Sequence, residues 1–198
     1  MIMNLPNLLT TLRLALAPVI LFTLHSGAWY GTGVAFLVFG AASVTDFYDG
    51  RLARAGNRVT RTGRFLDPLA DKVLVTCGLV VLACERLVSL WLVAPIVVRD
   101  VIVTGMRVHA LARGRQLETS RFARWKTAMQ LVAVAVLLFL LAVRDVAARF
   151  VPGKGLLLSG GELQLLANLL VAAVLLLTVG SGLQYMMRAQ TDGRQLSP

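Results

Sequence analysis

Asp46-Phe-Tyr-Asp49-Gly50-Arg-Leu-Ala53-Arg54, eight further residues, then Gly63-Arg-Phe-Leu-Asp67-Pro-Leu-Ala-Asp71 is the stretch on which the reading of this chain turns. It joins two apolar runs, residues 32–47 and 65–84, and sets four aspartates at their adjoining ends. An ionised carboxylate in or near hydrocarbon is costly, so such a cluster needs a cation or a wet cavity. Asp46 and Asp49 are three apart and Asp67 and Asp71 four apart, so each pair shares one face of a helix. An antiparallel hairpin would bring both pairs to one depth. Four oxygen-rich side chains at one level suit a hard divalent cation, Mg²⁺ or Mn²⁺. A structural network of Asp–Arg pairs is the alternative. It leaves unexplained why the acids recur on both arms.

Outward from this stretch, six runs approach the roughly 20 apolar residues that a span requires: 8–24, 32–47, 65–84, 88–111, 123–143 and 163–187. Of the 198 residues 57% are hydrophobic, above the roughly 45–50% of soluble domains. Mean hydropathy is +0.74. The expected fold is an all-α integral membrane protein, six transmembrane helices in one bundle with a short N-terminal interfacial segment. Residues 1–188 form the membrane domain and 189–198 a polar tail. Net charge is +10, but the basic residues lie between apolar runs, where they act as topology signals rather than as a nucleic-acid surface. Arg51, Arg54, Arg58, Arg61 and Arg64 fall in one connection, and Arg107, Arg113, Arg115, Arg121, Arg124 and Lys126 in another. The first alternate loop, residues 25–31, has no Lys or Arg. Both termini and the basic loops are therefore expected in the cytoplasm. Cys77 and Cys84 share one run, about 10 Å apart along a helix, too far for a disulfide. Arg13 lies inside the first run, which has no clear cleavage site.

Small residues surround the acids. Gly50, Ala53 and Gly63 let a phosphate or nucleotide approach the backbone, although close helix packing uses the same residues. Arg54 offers a fork for phosphate oxygens. The whole pattern, D-x2-D-G-x2-A-R-x8-G-x3-D-x3-D, resembles the signature of the CDP-alcohol phosphatidyltransferase family, with every fixed position present. The stretches at Asn4–Arg13, Arg99-Asp100 with Thr104 and Arg107, Lys126-Thr127 with Gln130, and Ser181-Gly182 resemble the branch that uses glycerol 3-phosphate. Asp100 stands where that branch usually has Glu, and Ala123-Arg124 where it often has Gly-Lys.

The resemblance implies a homodimer whose protomers each bind two Mg²⁺ or Mn²⁺ ions, through Asp46, Asp49, Asp67 and Asp71. Asp71 is also the implied base. It further implies CDP-diacylglycerol as donor, near Gly50, Ala53, Arg54, Thr60, Gly63, Asn7 and Thr10, with membrane lipid around the protein. Arg107, Arg124 and Lys126 are the cations expected for the acceptor phosphate. The expected products are phosphatidylglycerol phosphate and CMP. A different acceptor within the family, a divalent-cation transporter and a non-catalytic scaffold remain open at this point. A transporter usually shows inverted repeats and a midplane site, and no repeat is evident.

Overall fold

The structure, a computed structural model, describes residues 14–23, 28–55, 61–113, 121–150 and 160–194, with side chains described outside 46–55, 61–71, 107, 111, 121–124 and 183–194. It is all-helical, with no strand among the described residues. Helix α1 is Leu14–Thr23. The others are α2 (Gly31–Ala55), α3 (Arg61–Cys84), α4 (Leu90–Ala112), α5 (Arg121–Phe150) and α6 (Gly160–Arg194). Helix α2 extends past its expected span to Ala55, and α6 continues through much of the expected polar tail. The Gly-rich connection before α6 lies outside the described residues.

Each long helix buries one stripe at helical spacing. On α2 it is Ala35, Phe39 and Ala42; on α3, Leu74, Val75, Leu79 and Leu82. Val93 and Ile96 continue it on α4, Val134, Leu137, Leu138 and Leu141 on α5, and Leu163, Ala167, Val171 and Val174 on α6. These residues make one contiguous core, which Ile20 of α1 joins. Helix α2 makes its broadest contact with α5 and its narrowest with α3, while α4 packs on α3 and α6. The hairpin arms are thus held mainly by other helices, α2 by α5 and α3 by α4 and α5, rather than by each other. Gly78 marks where they converge: a Cβ there would run into Val134 Cγ1 and lie 3.1 Å from Phe39 Cε2.

The outer surface is apolar too. Phe22, Leu37, Trp91, Leu165 and Leu176 are exposed, more than a soluble monomer of this size tolerates. Among the described residues, two stretches are long and apolar enough to cross a membrane, Trp125–Phe150 with mean hydropathy 2.4 and Gly160–Gly182 with 2.2. They correspond to the fifth and sixth expected spans. Within the described side chains α2 and α3 contribute the apolar stretches Gly31–Thr45 and Lys72–Cys84, and the apolar run of α4 carries Arg99 and Asp100.

The turn between α3 and α4 closes without glycine. Arg86 takes a left-handed φ of 56°. Leu87 N–H donates to the Leu82 carbonyl (3.0 Å) and Arg86 N–H to that of Ala83 (3.0 Å), the paired bonds that end a helix at a left-handed residue. Gln164 of α6 donates to the Arg86 carbonyl (3.1 Å). Asn168 of α6 accepts from the Ser89 N–H (2.8 Å), just before α4 begins. At the same end of the bundle, Thr32 donates to Asp145 Oδ2 (2.9 Å), joining the start of α2 to the far part of α5. These contacts fix an antiparallel order, so the opposite end gathers the C-terminal parts of α2, α4 and α6 with the N-terminal parts of α3 and α5.

Candidate functional site

At that opposite end the buried stripes turn polar. On α5 the stripe runs back from Val134 through Gln130 to Lys126, both buried. On α4 it passes from Ile96 to Asp100 and Thr104, and on α6 from Val174 to Thr178 and Ser181. On α3 it reaches Lys72, which is partly buried. Apolar packing alone would favour the reverse, because each buried polar group must find a partner.

Asp100 is the centre of this region. Its carboxylate is 2% exposed and accepts from three helices. Lys126 Nζ of α5 donates to Oδ1 at 2.6 Å, and Lys72 Nζ of α3 to Oδ2 at 3.2 Å. Gln130 Nε2 of α5 donates to Oδ2 at 3.3 Å. On Asp100's own helix, Arg99 Nη1 donates to Oδ1 at 3.0 Å. Arg99 turns its other terminal nitrogen to Ser181 Oγ of α6 (2.7 Å), and Ser181 in turn donates to the Thr178 carbonyl (2.9 Å). Gly182 makes room for this arm, since a Cβ there would lie 3.2 Å from Arg99 Nε.

Three cations thus meet one carboxylate, leaving two formal positive charges uncompensated among the described groups. Burying surplus charge is expensive, so the arrangement favours an anion. The side chains of Lys72 and Arg99 are 20% and 18% exposed, against 2% for Lys126. Lys72 and Arg99 are therefore the members that a solute reaches first. Arg99 Nε and Gln130 Oε1 are buried without a hydrogen-bond partner among the described residues.

The sequence-derived residues map onto the same end. Asp46, Asp49, Gly50, Ala53 and Arg54 occupy the last turns of α2, and Gly63, Asp67 and Asp71 the first turns of α3. Their side chains lie outside the described residues, so only backbone position is given. Asp46 and Asp49 continue the register of Phe39 and Ala42, and Asp67 and Asp71 that of Val75 and Leu79. Lys72, which directly follows Asp71, joins the Asp100 cluster. Four carboxylates in this register offer only hard oxygen donors, the set that Mg²⁺ or Mn²⁺ takes. Arg107 lies on α4 and Arg124 in the first turn of α5, their side chains likewise outside the description, as are Thr60, Asn7 and Thr10 altogether. Lys126 is placed in full, sunk against Asp100 rather than open at the surface. Lys72, Arg99, Asp100 and Gln130 had not been assigned to the site from sequence. Their signal was charge inside an apolar run, as at Arg99-Asp100.

Comparison with known proteins identifies the family. The sequence model of the CDP-alcohol phosphatidyltransferase family matches residues 3–179. A protein of Escherichia coli named CDP-diacylglycerol–glycerol-3-phosphate 3-phosphatidyltransferase is 35% identical over 194 residues, 96% of each chain. A Mycobacterium tuberculosis protein named "Probable phosphatidylglycerophosphate synthase" is 35% identical over 194 residues, 96% of this chain and 84% of its own. A Cereibacter sphaeroides protein with the same name as the Escherichia coli one is 37% identical over 139 residues, 68% of this chain and 62% of its own. With a family match over nearly its whole length and the complete aspartate signature on α2 and α3, this chain belongs to the CDP-alcohol phosphatidyltransferase family.

Proposed function

We propose that this enzyme transfers the phosphatidyl group of CDP-diacylglycerol to glycerol 3-phosphate, giving phosphatidylglycerol phosphate and CMP. The observation that carries the reading is the unbroken signature from Asp46 to Asp71. The names of the relatives that align over 96% of this chain support the acceptor. The protein is read as six spans in one bundle, residues 1–188, with both termini and the polar end facing the cytoplasm of a bacterial inner membrane, working as a homodimer among membrane lipids.

Asp46, Asp49, Asp67 and Asp71 would hold one or two Mg²⁺ or Mn²⁺ ions. A hard divalent cation bound there supplies Lewis-acid charge to the pyrophosphate oxygens. Gly50, Ala53 and Gly63 leave space for the donor beside the helix backbone, with Arg54, Thr60, Asn7 and Thr10 as its further contacts. Asp71 accepts the proton of the acceptor hydroxyl. The hydroxyl oxygen bonds to the lipid-side phosphorus in line as the bond to CMP breaks, and CMP leaves with the electron pair. Arg107 and Arg124 hold the acceptor phosphate, and Lys126, expected from sequence to join them but sealed against Asp100, adds charge rather than a direct contact. No covalent enzyme intermediate is required.

The test is CMP release by purified protein in detergent, with CDP-diacylglycerol, either metal or none, and a panel of acceptors. Metal-dependent release with glycerol 3-phosphate alone, with a product that runs as phosphatidylglycerol phosphate, is the expected result. Release with another acceptor keeps the chemistry and overturns the acceptor. Absence of release with every acceptor, from folded protein, overturns the reading.

A further inference from the structure

We propose that Asp100 is a positioning residue: its buried carboxylate holds Lys72, Arg99 and Lys126 together and presents their surplus positive charge to the acceptor's phosphate. The inference rests on the acceptor reading above and extends it to Asp100, Lys72 and Arg99, which that reading does not use. Asp100 accepts from α3, α4 and α5 at once, with Lys126 and Arg99 on Oδ1 and Lys72 and Gln130 on Oδ2. Arg99 carries the link on to Ser181 of α6. Four helices are thereby pinned around one carboxylate.

Two physical facts argue for a positioning role rather than simple neutralisation. A carboxylate placed for neutralisation would leave little net charge, whereas this one leaves two formal positive charges among the described groups. That surplus matches a phosphate monoester, which carries roughly −1.5 to −2 near neutral pH. The cluster is also graded in depth. Lys126 is sealed at 2% exposure, while Lys72 and Arg99 reach about a fifth exposed. The deep pair anchors and the shallow pair faces outward. Lys72 is the residue after Asp71, so fixing its ammonium also fixes the first turns of α3, which carry Asp67 and Asp71.

The test is a steady-state comparison of Asp100→Asn and Asp100→Glu in purified protein. Asp100→Asn keeps the shape, removes the charge and makes the cluster more positive. If Asp100 positions the cations, the KM for glycerol 3-phosphate rises about tenfold or more, the worth of one charge-assisted hydrogen bond, while the KM for CDP-diacylglycerol stays nearly constant. Asp100→Glu, which restores the charge, recovers much of the loss. If Asp100 only neutralises, the acceptor KM falls in Asp100→Asn, and the proposal is overturned. Equal rises in both KM values, which a general structural role would give, also overturn it. The double variant Asp100→Asn with Lys126→Met supplies a second criterion. Its acceptor KM, relative to wild type, should fall well short of the product of the two single effects; full multiplication sinks the idea. Where Asp100→Asn fails to fold, Asp100→Glu still decides: the residual effect of a carboxylate displaced by one methylene should fall on the acceptor KM and spare the donor KM, and equal changes in both overturn the proposal. Wild-type protein inert toward glycerol 3-phosphate marks failure of the acceptor reading, and the KM split is then measured on whichever acceptor the panel identifies.

Discussion

Asp100 and Asp145 sit toward opposite ends of the bundle, and each ties helices together, but they do so on opposite terms. The Asp145 side chain is 24% exposed, pairs with its neighbour Arg144 at 2.9 Å, and takes one hydroxyl from Thr32. It is a rim contact, balanced in charge and wetted. Asp100 is nearly sealed and takes four donors, three of them cations. Exposed pairs contribute about 0–1 kcal/mol. A buried charged cluster is often less stabilising than apolar packing of the same volume. A bundle seeking stability alone would have carried its Val and Leu stripes on through residues 100, 126 and 130. Their interruption by a buried cluster of charges, against one hydroxyl and a partly exposed pair at the other end, is what marks that end as the working one.

The largest break in this symmetry is expected from Asp71→Asn, next to the cluster. Turnover should be abolished while most CDP-diacylglycerol binding survives, measured as CMP release against binding of a labelled donor. Near-normal turnover would remove Asp71 as the base. Lys126→Met comes next. It keeps the length of the side chain but takes the closest cation from Asp100. The KM for glycerol 3-phosphate should rise roughly ten- to a hundredfold, consistent with about 1.5–3 kcal/mol for a hydrogen bond to a charged group, with a much smaller change toward the donor. A purely structural ion pair would instead lower the yield of folded protein and leave both KM values alone.

These two variants also show what the sequence could and could not convey. The aspartate signature and its helical spacing are local, so Asp46 through Asp71 were legible at once, as were the runs that became α2 to α6. Lys126 was legible as a cation at the right end. Its partner was not, because the contact from Lys126 to Asp100 joins residues 26 apart in sequence and depends on how α4 and α5 pack. Arg99-Asp100 stood out as charge inside an apolar run and as part of the branch resemblance, but nothing local named its partners. The α3–α4 turn was hidden for a different reason: the left-handed position that usually calls for Gly or Asn holds Arg86. How far α2 reaches, to Ala55, could not be bounded from the sequence because its last turns are polar, and hydropathy measures the hydrocarbon crossing rather than the helix.

Between the two ends lies Gly78, where α2, α3 and α5 converge. Gly78→Ala should gain helix propensity, up to about 1 kcal/mol, and lose more than that, because Val134 and Phe39 must both move aside and overpacking costs about 1–3 kcal/mol. A thermal midpoint several degrees lower is expected in detergent, with both KM values unchanged in the surviving enzyme. A midpoint that rises would mean that the packing at this crossing is looser than the contacts indicate.

The smallest effect belongs to Asp145→Ala, and it is the one that tests the comparison itself. The substitution removes the Arg144 pair and the acceptor for the Thr32 hydroxyl, leaving a 5%-exposed Thr32 to seek another partner. The exposed pair contributes little and the hydroxyl bond about 0.5–1.5 kcal/mol, so the thermal midpoint should fall by a few degrees at most. Neither KM should change, because no step of the proposed chemistry reaches this end. If Asp145→Ala instead altered the acceptor KM as Asp100→Asn is expected to, the two ends would be coupled through α5. The polar end could then no longer be treated as a self-contained site.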